Sequence, residues 1–72
     1  MLTNVTNNNG DVVIDIPITT IISLFSVTDG VNIVARQASD NTKTVVHCTY
    51  TATNANYTNA NVNIRVNYLV QE

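Results

Sequence analysis

His47 and Cys48 are the chain's only histidine and only cysteine, and they are adjacent. A thiolate beside an imidazole is the nucleophile and base of covalent hydrolysis, provided the two side chains meet at hydrogen-bond distance. Around them Val46, Cys48, Tyr50 and Ala52 alternate with Val45, His47, Thr49 and Thr51. Successive side chains of a strand point to opposite faces, so these neighbours diverge. The pattern therefore predicts a buried structural thiol and a histidine on the wetter face.

The other residues that carry chemistry are no better arranged. Ser23, Ser26 and Ser39 lack the glycine-framed elbow that presents a serine nucleophile. Asp11, Asp29 and Asp40 stand at turns or strand ends, where aspartate serves the backbone; Asp15, in mid-strand, suits an edge strand protected against aggregation. Gly10 and Gly30 are the only glycines, so no phosphate loop exists. The sequons Asn4-Val5-Thr6 and Asn56-Tyr57-Thr58 match by composition alone. The expectation is a protein with no catalytic, cofactor-binding or metal-binding residues, and hence not an enzyme.

Composition narrows the partners. Of 72 residues, 12 are Asn and 11 are Thr, against 8 charged ones, so neutral polar groups carry the solubility. Arg36, Lys43 and Arg65 are the only basic side chains, they are scattered, and the net charge is −2. Nucleic-acid binding draws on clustered Lys and Arg that displace counterions, and attachment to anionic lipid needs the same. Neither partner is expected, nor is a membrane span, since apolar runs stay far below the roughly 20 residues that cross a bilayer.

A 72-residue chain is one β domain, 1–72, and its own core supplies little net stability. A single cysteine rules out an internal disulfide, which leaves association as the source of further stability.

These residues sit on elements of period two. Val12, Ile14, Ile16 and Ile18 share one face of a strand over 11–18, and Pro17, which cannot donate a ladder hydrogen bond, means that this strand lies at a sheet edge or ends there. Val62, Ile64, Val66, Tyr68 and Val70 alternate with Asn63, Arg65, Asn67, Leu69 and Gln71. The dipeptides Asn9-Gly10 and Asp29-Gly30 predict two tight hairpins; the second would set Leu24 opposite Ala35, Phe25 opposite Val34 and Ser26 opposite Ile33. Ala38-Ser39-Asp40-Asn41 is a further turn. Ile18, Ile21, Ile22 and Phe25 have helical spacing after Pro17, but their β-branched character favours a strand. The tetrads Thr53-Asn54-Ala55-Asn56 and Thr58-Asn59-Ala60-Asn61 flank Tyr57; they read as a solvated hairpin loop, or as an exposed contact loop centred on Tyr57.

The expected fold is all-β, a small antiparallel β-sandwich or barrel of five to six strands, with Ile14, Ile16, Val46, Cys48, Tyr50, Ile64, Val66 and Tyr68 in its core. Val13, Phe25, Val45 and Leu69 fall on the other parity and would leave apolar area outside. Together with Tyr57 they form the candidate interface for a homo-oligomer, a trimer being the simplest ring, and for a larger protein shell.

In size and composition the chain resembles small accessory proteins of virions, such as those that decorate or cement a phage capsid, which implies a virion or extracellular location. Met1 to Thr6 has neither the basic nor the apolar stretch of a secretory signal, so the expectation is either a mature, trimmed chain or delivery by assembly and cell lysis, as for a virion part. The alternative is a cell-surface adhesive or carbohydrate-binding β module, since amides and tyrosines suit sugars.

Overall fold

The computed structural model describes residues 2–69. Six strands run in the order β1 (Leu2–Val5), β2 (Asp11–Ile14), β3 (Ile21–Ser26), β4 (Val31–Gln37), β5 (Thr44–Tyr50) and β6 (Asn61–Tyr68). They form two antiparallel three-stranded sheets, β1–β6–β3 and β2–β5–β4, which are not closed into a barrel. Val70 and Gln71, the end of the last alternating run, lie outside the described residues.

The two glycine turns do not make hairpins. β3 pairs with β6, setting Leu24 opposite Val66 and Phe25 opposite Arg65, while β4 pairs with β5, setting Val34 opposite His47. The expected register between β3 and β4 is thus replaced, and both turns carry the chain from one sheet to the other. The backbone explains why. A two-residue type I′ hairpin needs both central residues left-handed, whereas here only Gly10 (φ 80°) and Gly30 (φ 77°) are, and not Asn9 or Asp29. The one hairpin between consecutive strands joins β4 to β5 through residues 38–43, closed by the Ala38 N–H donating to the Lys43 carbonyl at 3.2 Å.

Gly10 is fixed by contact as well as by φ. A Cβ there would lie 2.8 Å from the Cys48 carbonyl oxygen, and the Gly10 carbonyl accepts the Cys48 N–H at 2.8 Å. Asn7 shapes the same turn, its Oδ1 accepting the N–H groups of Asn9 (2.8 Å) and Asp11 (3.0 Å).

β2 is an edge strand, but it stops at Ile14, short of the run expected through Ile16 and Ile18; a bend follows, and Pro17 opens a single 3-10 turn at Ile18–Thr20. Thr44, fully buried, donates its hydroxyl to the Ile16 carbonyl at 2.6 Å, which ties the bend after β2 to the start of β5. β3 then takes the strand form over Ile21–Ser26, so the helical spacing accounts for one turn only.

Alternation fills the core. Val12, Ile14, Val31, Val46 and Cys48 from one sheet and Val62 and Ile64 from the other make one buried cluster, with Ile16, Ile21, Leu24, Ile33, Tyr57 and Val66 packed against it. Each fully buried aliphatic side chain contributes about 1.5–3 kcal/mol relative to exposure. Two expected core residues are outside it: Tyr50 and Tyr68 are 43% and 47% exposed. Each is the last residue of its strand, where the buried parity runs out into solvent.

The Asn-rich repeat is not the loop of a hairpin, because β5 and β6 belong to different sheets. Its two tetrads share two backbone features. Asn54 (φ 59°) and Asn59 (φ 50°), the same position in each, are left-handed, a conformation asparagine tolerates better than most residues. The alanine after each then offers its carbonyl to a strand-end amide: Ala55 to Tyr50 at 2.9 Å, and Ala60 to Thr6 at 2.9 Å.

Candidate functional site

The outward face of the β2–β5–β4 sheet carries ion-paired side chains. Asp11 on β2 lies opposite His47 on β5, and His47 lies opposite Val34 on β4. His47 Nδ1 is 2.7 Å from Asp11 Oδ1, and Arg36 reaches Asp11 Oδ2 at 3.5 Å, so one carboxylate ties together all three strands. Beyond the strand end, Lys43 Nζ and Asp15 Oδ1 are 3.5 Å apart. The next cross-strand row is Val13, Val45 and Arg36. Val13 and Val34 are exposed and Val45 half-buried, so apolar side chains are interleaved with compensated charges on this face.

A carboxylate holding one imidazole nitrogen is the orienting half of a nucleophilic triad. The remaining half is not assembled here: Ser23 and Ser26, the serines with described side-chain hydrogen bonds, make them on β3 or just beyond it, in the other sheet. Cys48 points to the opposite face from His47 and is fully buried. Burial pushes its thiol pKa up, and the Asp11 charge adds to the shift. Among the described residues no three His, Cys, Asp or Glu side chains come together as metal ligands would.

The outward face of the β1–β6–β3 sheet is chemically different. Asn61, Asn63, Arg65 and Asn67 alternate along its central strand. The Arg65 guanidinium lies 5.9 Å from the ring centre of Phe25, its cross-strand neighbour, a favourable cation–π geometry. Asn67 donates to Ser23 Oγ at 2.7 Å. Val5 and Phe25 are exposed apolar residues here, and Leu69 is exposed just past β6.

The five residues of the candidate interface therefore do not form one patch. Val13 and Val45 are cross-strand partners on one sheet, while Phe25 belongs to the other and Leu69 follows its central strand. Tyr57 is not the tip of an exposed loop. It is half-buried, meets Tyr50 edge-on with ring centres 5.0 Å apart, and donates its hydroxyl to the Asn61 carbonyl at 2.7 Å. Sequence reasoning missed the Asp11–His47 contact because the residues are 36 positions apart and meet only through the β2–β5 register. Their equal parity was the available signal.

Comparison with protein-family models, curated proteins and solved structures gives no match.

Proposed function

We propose that the chain is a non-enzymatic structural protein that acts in many copies, as a virion component of the kind that decorates or cements a phage capsid. The two sheets stack as a β-sandwich in this reading, each turning one face to the common core and one to a neighbour. The observation that carries it is the excess of unpartnered sheet. With two three-stranded sheets, four of the six strands are edges, and both outward faces hold exposed apolar side chains. Isolated molecules with such edges tend to associate, and an ordered shell satisfies them. The net charge of −2 keeps repulsion between neighbouring copies small.

A second reading, a carbohydrate-binding or adhesive module, draws on the row of Asn61, Asn63, Arg65 and Asn67 beside the exposed ring of Phe25. Planar amides and an aromatic ring are what sugar recognition uses.

Co-sedimentation of the purified chain with phage capsids and tails, run beside a carbohydrate-array screen, separates the two. Saturable enrichment with particles and a blank array is the expected outcome. Array binding without particle association would replace the structural reading by the second.

A further inference from the structure

The outward face of the β2–β5–β4 sheet differs from that of the β1–β6–β3 sheet in its charge balance, and we propose that it is the surface on which a second copy of this chain docks, about a two-fold axis. The inference rests on the assembly reading above and names the face that makes the contact.

A two-fold contact brings each patch against its own copy, so the patch must be compatible with itself. The β2–β5–β4 face meets that condition. Its two carboxylates, Asp11 and Asp15, are matched within the same chain by two cations, Arg36 and Lys43, and His47 is also held by Asp11. Among them lie Val13, Val34 and Val45, and Val34, at 68%, is the most exposed large apolar residue among those described. Valines and ion-paired side chains alternate across the face, Asp11–His47–Val34 in one row and Val13–Val45–Arg36 in the next, so a copy laid on it meets apolar and charge-compensated groups and no unbalanced charge.

The β1–β6–β3 face does not meet the condition. Arg65 stands on its central strand against Phe25, with no carboxylate in contact among the described residues. Packing that face on itself would bring two such cations together. Packing it on the β2–β5–β4 face would offer Arg65 only carboxylates already taken by Arg36, Lys43 and His47. Charge thus selects one self-association among the three.

Size sets its strength. Three strands of at most seven residues cover roughly 330 Å² of backbone footprint, less than the ~800 Å² per partner of a standard stable complex. The contact is weak between free chains and gains from any array that holds many copies in place. It also yields a pair, where the sequence had led us to expect a three-membered ring.

Sedimentation equilibrium of the full chain from micromolar to millimolar concentration tests the proposal, with V34K and V13K on the docking face and V5K on the other. Val5, Val13 and Val34 are all exposed, so circular dichroism should show each variant folded. The expected result is a wild-type mass rising toward twice the monomer, V5K following it, and V34K and V13K remaining monomeric. A wild type that is monomeric at millimolar concentration overturns the docking face, while the particle co-sedimentation judges the assembly reading separately. Self-association that V5K abolishes and V34K and V13K spare would assign the contact to the other sheet and overturn the proposal equally.

Discussion

Nδ1 of His47 lies 2.7 Å from Oδ1 of Asp11, so the central strand of one sheet is fastened to its edge strand on the outward face. Both groups are partly exposed, and solvent weakens such contacts. Asp11 also receives Arg36 at 3.5 Å, so its one carboxylate is the common partner of side chains on β5 and β4.

A double-mutant cycle of D11N and H47A, followed by urea unfolding, should give a coupling of about 0.5–1 kcal/mol that shrinks with added salt. Additive single effects would mean that the contact does not stabilise the fold.

The two glycines are expected to respond differently to alanine. At Gly10 the left-handed backbone is strained by any side chain, and the new Cβ would meet the Cys48 carbonyl at 2.8 Å. At Gly30 the backbone is equally left-handed but nothing lies within 4 Å. G30A should cost about 1 kcal/mol from conformation alone, and G10A at least ~2 kcal/mol more, or prevent folding. Equal losses in urea unfolding would contradict the close approach of the turn to β5.

Where the strands lie, and which parity is buried in their middles, was legible because alternation is a local property, whereas their ends were not: the run expected through Ile18 stops at Ile14. Val12, Ile14, Val46, Cys48 and Ile64 follow it into the core. Pairing was not legible. Asn9-Gly10 and Asp29-Gly30 have hairpin composition, but composition does not say whether the residue before the glycine is left-handed, and that conformation decides between a hairpin and a crossing to the other sheet. Buried Thr6 was missed for a related reason. Its hydroxyl accepts the Ala60 N–H at 3.1 Å, 54 residues away, and no local pattern marks such a bond. The repeated tetrad was visible as a repeat, while its meaning, two left-handed asparagines, required backbone angles.

Cys48 should resist a thiol reagent in the native chain and react at once in denaturant, because reagent and thiolate are both excluded from the core. Its raised pKa, caused first by burial and then by Asp11, has a definite sign. The folded state holds the thiol proton more tightly than the unfolded chain, so the contribution to stability is whole below the ordinary thiol value of about 9 and is lost as pH rises through the raised value. Unfolding midpoints of wild type and C48A should therefore diverge less above that pH than below it. A gap that widens with alkali would contradict the burial.

The central claim is that an outward sheet face, and not a pocket or a catalytic group, carries what this chain does. Backbone amide spectra recorded at micromolar and millimolar concentration test it residue by residue. The account predicts concentration-dependent shifts at Val13, Val34, Val45 and His47, with Val5, Phe25 and Arg65 unmoved. Spectra that do not change with concentration, or changes centred on Phe25 and Arg65, would contradict it.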